Sequence, residues 1–204
     1  MLNKRMGYRT SSQLPEIRSR RARAPSKRIY PPLTLWKDML RFGTREIAIS
    51  AIMASLVCAT TLLIQFPIPA TQGFFNVGDA MVMVAAITFG PIVGFFAGGI
   101  GSSLADLIGG WYVWIPFTLV IKGLEGFLAG SIMVLDEEDL GVKKKVVAWI
   151  VAGSEMVVGY FLVQYYMYGL GAALTEMPFN ILQMVVGGIL GIPLSIVIAQ
   201  RMEL

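Results

Sequence analysis

Two charged side chains, Lys122 and Glu125, stand three residues apart in the stretch IKGLEG, inside an apolar run from Trp111 to Leu135 long enough to cross a bilayer. That spacing puts them on neighbouring positions of one helix face. At about 1.5 Å per residue, Lys122 lies roughly 12 Å below a boundary near Trp114, and Glu125 lies deeper, in a core about 30 Å thick. An isolated charge at such depth is costly, so each calls for a partner. Lys122 either pairs with Glu125 or with Glu155, which reaches a similar depth on a later segment, or forms the floor of a pocket. Read as chemistry, Lys122, Glu125 and Glu155 make a charge relay for an ion-coupled secondary transporter or channel. Asp79 and Asp106, as acid and base or as magnesium ligands, would suit a membrane-embedded enzyme. The chain has no His, and its single cysteine, Cys58, lies in an apolar run. Histidine bases, zinc sites and a disulfide framework are therefore excluded, and no metal site is expected.

The elements that position these residues follow from hydropathy. With 55% hydrophobic residues, 15% charged residues and a mean hydropathy of +0.67, the chain is an integral membrane protein. Residues 1–45 hold twelve of the seventeen Lys and Arg against Glu16 and Asp38, a net charge of +10. They read as a basic cytoplasmic tail, largely disordered, with a short interfacial helix at LTLWKDMLRFG. Such an arm holds the first span's N-terminus in the cytoplasm, and no specific nucleic acid is expected as a partner. Residues 46–204 form one membrane domain. About 20 apolar residues per span gives spans at roughly 46–65, from near Asn76, after a break at FGPIVG, 113–134, 146–168 and 178–200. The break follows from Pro91, which removes a helix hydrogen bond, and Gly90, which permits a turn. The expected fold is all-α, six transmembrane helices with both termini cytoplasmic. Lys143, Lys144, Lys145 and Arg201 then fall inside, and the outer loops near 66–77, 109–113 and 169–177 contain no Lys or Arg.

On the outer side, polar and aromatic residues gather. Folding back at FGP brings Asp79 and Asp106 to one edge beside Trp111, Tyr112 and Trp114, while Gln164, Tyr165, Tyr166 and Tyr168 of the fifth span and Glu176, Asn180 and Gln183 at the start of the sixth approach it. Acids, amides and stackable rings at one depth suit a pocket for a small, partly aromatic polar solute, with Lys122 beneath it. Each aromatic alone is accounted for by an interfacial belt, and Asp79 by helix capping; the cluster points to a site. Gly94, Gly98, Gly99 and Gly101 read as helix-packing residues, and no GxxxxGK[ST] phosphate loop occurs. On the first span, small residues recur every four positions, as Ser50, Ala54 and Cys58 or as Ala51, Ser55 and Ala59.

The passage from Asn76 to Gly130, with its GDA start, FGP turn, GG.G...AD..GG hairpin and P.TL.IKGL.G helix, resembles the substrate-binding S components of energy-coupling factor (ECF) vitamin transporters, of the riboflavin and hydroxymethylpyrimidine type. The resemblance implies capture of a vitamin or related micronutrient at the outer face, docking on a transmembrane coupling subunit, and toppling in the bilayer as two ATPase subunits supply energy. It implies a cell-membrane protein that is not an enzyme and carries no cofactor, ATP being used by separate subunits. In that family an AxxxA-type motif on the first helix meets the coupling subunit; here the nearest matches are Ser50 with Ala54 and Ala51 with Ser55, neither a strict alanine pair. The arginine-rich tail is not part of the family pattern.

Overall fold

The computed structural model describes residues 43–135 and 141–202; the basic tail and interfacial helix expected upstream lie outside the described residues up to residue 42. The first helix, α1 (Thr44–Leu63), leads into a hairpin of β1 (Gln65–Ile68) and β2 (Gly73–Asn76). Five helices follow: α2 (Asp79–Phe89), α3 (Pro91–Gly109), α4 (Ile115–Leu135), α5 (Val142–Tyr168) and α6 (Leu170–Arg201). All except α2 are long and apolar enough to cross a membrane. At 11 residues, α2 extends only about 16 Å, roughly half the hydrocarbon thickness.

The sequence of α2, DAMVMVAAITF, is apolar on every side after its first residue, and a helix of that kind belongs in an interior. It is accordingly the central element, with Asp79, Ala80 and all of residues 82–87 buried and contacts to each of the other helices. Gly90 ends it at φ 90°, a conformation that side chains rarely adopt, and Pro91 begins α3 at its first position, where a missing N–H costs nothing. The break expected at FGP therefore stands where the proline and glycine put it. Around α2, Met53 and Val57 of α1, Val93 and Ala97 of α3, Ala129 of α4, Ala148 and Ala152 of α5 and Ile192 of α6 close the apolar core. Outward-facing apolar side chains such as Ile52, Val120, Val158 and Ile189 are exposed, as lipid-facing residues must be.

Helices α3 and α4 approach most closely along their glycines. A Cβ on Gly126 would run into the backbone of Gly94, and one on Gly98 into the carbonyl of Lys122. The two glycines of IKGLEG thus face neighbours, Gly126 against α3 and Gly123 against the ring of Phe95. Small residues let backbones meet in lipid, where van der Waals contact drives association.

Two expectations are corrected. The connection after α1 was expected as a loop closed by a PIP turn in an all-α protein; it is an antiparallel hairpin in which Gln65 pairs with Asn76 and Ile68 with Gly73. Pro67 is tolerated because a two-stranded hairpin consists of edges alone, and Phe66 and Phe75 stack across it with centroids 6.0 Å apart. The sixth span was expected at 178–200, with an outer loop before it. In fact α6 begins at Leu170 and runs through Pro178, and the turn from α5 contracts to Gly169 at φ 83°. LGAALTEM is rich in helix formers, so the helix starts upstream of the proline.

Candidate functional site

Lys122, 2% exposed, donates to Asp79 Oδ1 at 2.5 Å and to Glu125 Oε2 at 2.9 Å. The first contact joins α4 to the head of α2; the second follows from the i, i+3 spacing. Glu155, weighed above as the interhelical partner, is not the residue Lys122 meets, and its Oε2 is buried without a hydrogen-bond partner. The interhelical partner is Asp79, because the short α2 begins deep inside the bundle and carries its first residue to the lysine's level. A triad of one cation and two carboxylates results, with the Tyr160 ring centroid 5.8 Å from Lys122 Nζ.

From the triad a chain of hydrogen bonds rises to the hairpin. Gln183 Nε2 donates to both carboxylate oxygens of Asp79, each at 3.2 Å. Gln183 Oε1 accepts from the backbone N–H and the side-chain amide of Asn76, each at 3.0 Å, and Asn76 Oδ1 accepts from Gly78 N–H at 2.9 Å. With carboxylate on one side and donors on the other, the Gln183 amide has one satisfactory orientation. The hairpin is pinned again where Trp114 Nε1 donates to the Gln72 carbonyl at 2.9 Å, and Phe74 stacks on Trp111 at 5.1 Å.

Above the triad lies a cleft of about 400 Å³, counting its open mouth. Its walls stand close, leaving about 30 Å³ in which the centre of a water molecule can move. Of the residues singled out from sequence, Asp106, Trp114, Lys122, Glu176, Asn180 and Gln183 line it. Asp79 lies beneath, held by Lys122 and Gln183. Trp111 and Tyr112 border a separate depression behind the hairpin, shared with Pro67 and Pro69. Gln164 is fully buried with neither amide atom hydrogen-bonded. Tyr165 points away, 53% exposed.

Further lining residues come from Thr61 of α1, Phe74 and Asn76 of β2, Ser102 of α3, Thr118 of α4 and Tyr160 of α5. Some had a visible signal. Tyr160, Gln164 and Tyr168 recur every four residues and so share one face of α5, which turns Tyr165 and Tyr166 outward; the Trp114 ring lies 5.9 Å from Tyr160 and 6.3 Å from Tyr168. Glu176, Asn180 and Gln183 follow the same rule on α6. Thr61 and Phe74 carried none, since their place depends on the hairpin. Tyr160 donates to Thr118 Oγ1 at 3.2 Å, which leaves the threonine proton for Asp106. Four polar atoms buried without partners belong to the lining of the cleft: Thr61 Oγ1, Asp106 Oδ2, Glu176 Oε2 and Asn180 Nδ2. Buried polar atoms in folded proteins are nearly always satisfied, so such a group marks a place for something else to bind.

A second feature lies on α1. Ser50 and Ala54 are buried against α3, whereas Ala51 and Ser55 face outward; together with Ile47, Phe96, Ile100 and Leu104 they border an apolar groove.

An apolar helical bundle with an aromatic, amide- and carboxylate-lined cleft over a buried ion triad is the architecture of a multi-pass membrane protein, and the cleft is its candidate site. Residues 41–200 match the family described as ECF-type riboflavin transporter, S component, and the chain belongs to that family. This is a family of transporter components, so the chain is not an enzyme. It is similar to an uncharacterised protein of Pyrococcus woesei, 43% identical over 71% of this chain and 95% of the relative. The thiamine precursor transporter HmpT of Lactococcus lactis is 31% identical over 74% of this chain and 86% of its own length. A UPF0397 protein of Vibrio atlanticus is 32% identical over 59% and 69%.

Proposed function

We propose that this chain is the vitamin-capturing component of an ECF transporter, holding a small, flat, polar heterocycle in the cleft at the outer ends of its helices. The observation that carries this reading is the set of unpartnered buried polar atoms on Thr61, Asp106, Glu176 and Asn180, gathered beside the rings of Trp114, Phe74 and Tyr160. Rings give a sliding surface for a flat solute and the polar atoms fix its orientation. A thiamine precursor, named for one relative, or a flavin, named for the family, is the class of ligand this wall suits.

Six helices crossing with both termini cytoplasmic put the cleft outside. This orientation is supported by Lys143–Lys145 and Arg201 at one end of the bundle, while the hairpin and the turns at 110–114 and Gly169 at the other carry no Lys or Arg. The short α2 and the hairpin before it then share one crossing. The coupling subunit docks on the groove of α1 and α3, with Ala51 and Ser55 at the contact and Ser50 and Ala54 at its base. Two ATPase subunits supply the energy, this chain contributing no nucleotide site.

Uptake into vesicles tests the assignment. With partner subunits and internal ATP present, vesicles are expected to accumulate the micronutrient, and without them to bind it only. Gradient-driven uptake by this chain alone would instead make it an ion-coupled transporter using Glu155 and the triad.

A further inference from the structure

One wall of the cleft is a strand. Gly73, Phe74 and Asn76 of β2 line it, and a two-stranded hairpin is marginal by itself, so the strand's place depends on what holds it. Trp114 Nε1 holds the turn through the Gln72 carbonyl. The end of β2 is held from inside the bundle, through Gln183 to Asp79. Asn76, Gln183 and Asp79 are 7%, 3% and 1% exposed, so solvent does not make good a lost partner. This chain of bonds has a direction. Its upper end consists of backbone N–H groups, that of Asn76 donating to Gln183 Oε1 and that of Gly78 to Asn76 Oδ1, and a backbone N–H can only donate. Its lower end must then be an acceptor. Asp79 is one on both oxygens, with the Lys122 ammonium beside it. Gly187, one turn from Gln183 on α6, lets the two meet, since a Cβ there would stand 2.8 Å from Asp79 Cβ.

We infer that Asp79 is a positioning residue, fixing the Gln183 amide so that Gln183 seats Asn76 and with it the β2 wall of the cleft. The triad that joins α2 to α4 thereby also shapes the binding surface. The effect on a ligand rests on the heterocycle-binding reading above; the seat of the strand belongs to the protein alone. Asp79→Asn would put an N–H2 group where one acceptor stands, opposite the N–H2 of Gln183. Turning the Gln183 amide over only moves the conflict to the Asn76 N–H, so one bond of the chain is lost either way. The variant leaves Lys122 paired with one carboxylate, Glu125, a balanced pair, and is expected to fold.

Amide hydrogen exchange of the full chain in detergent, read by mass spectrometry over residues 73–78, reports the seat of the strand with no ligand present. In Asp79→Asn, exchange there is expected to be at least roughly tenfold faster than in wild type, as for one buried bond lost, while the amides of α3 keep their wild-type rate. Gln183→Met, which removes the middle of the chain, should do the same. Where Asp79→Asn fails to fold, the triple variant Asp79→Asn, Lys122→Met, Glu125→Gln decides: fast exchange over 73–78 in a stable bundle separates seating from folding. Ligand release is read by tryptophan fluorescence, since Trp114 lines the cleft, with riboflavin and a hydroxymethyl aminopyrimidine as probes. Whichever binds the wild type should dissociate roughly tenfold faster from Asp79→Asn. Exchange over 73–78 raised by Gln183→Met and unchanged by Asp79→Asn would overturn the inference, as would an increase spread evenly over all helices. Binding of neither probe would count against the heterocycle reading, and the exchange result would still decide the role of Asp79.

Discussion

Lys122 illustrates how a single buried charge can tie several elements together. Its ammonium holds Asp79 and Glu125, and Asp79 in turn holds Gln183, which reaches the cleft and the hairpin. Replacing it with methionine would leave two buried carboxylates without their cation, a loss of about 3–5 kcal/mol for a broken buried pair. The Lys122→Met protein is thus expected to unfold at clearly lower temperature in detergent. A triple variant, Asp79→Asn with Lys122→Met and Glu125→Gln, should recover much of that loss, because the charges leave together. A single variant as stable as wild type would show that the triad does not hold α2 to α4. Lys122 and Glu125 were legible from sequence because a charge in an apolar run is conspicuous. Asp79 as the partner was not, since depth estimated from span boundaries says nothing of where a short interior helix begins. Tyr165 and Tyr166 misled for a related reason: adjacent residues point to different sides of a helix, and Tyr160, on the face shared with Gln164 and Tyr168, is the ring that lines the cleft.

Among the elements, the pairing of α3 with α4 is the one most dependent on residue size. Gly94 and Gly126 meet backbone to backbone, and Gly126→Ala must force the helices apart. Overpacking of this kind costs about 1–3 kcal/mol, which thermal unfolding in detergent would register. Gly171→Ala is the control, because nothing lies within 4 Å of a Cβ there and alanine favours helix; it should leave stability unchanged or slightly raised. Equal behaviour of the two variants would contradict the close-packed seam. Helix existence was readable throughout, from apolar length and from the Gly90–Pro91 break. The hairpin was not, because a proline within four residues argues against a strand, and its strands are stabilised by contacts to Trp111, Trp114 and Gln183 that are distant in sequence. That omission is also why Thr61, Phe74 and Asn76 escaped notice as lining residues. The start of α6 was missed because a proline suits the first turn of a helix and is disfavoured inside one, so Pro178 marked a start, whereas the helix runs through it.

For the whole molecule, family membership and geometry point the same way. The match covers nearly all of the described residues, and the cleft they enclose has aromatic walls, amide anchors and two free carboxylate oxygens. The central claim is that this cleft holds a small heterocycle tightly enough for the chain to act as a capture component. Mass spectrometry of the small molecules released from the purified protein tests it most directly, with Asn180→Ala prepared in parallel. The wild-type chain is expected to release one heterocyclic micronutrient, and Asn180→Ala to release markedly less while remaining folded. Reproducible release of nothing from the wild type, or equal amounts from both proteins, would contradict the account.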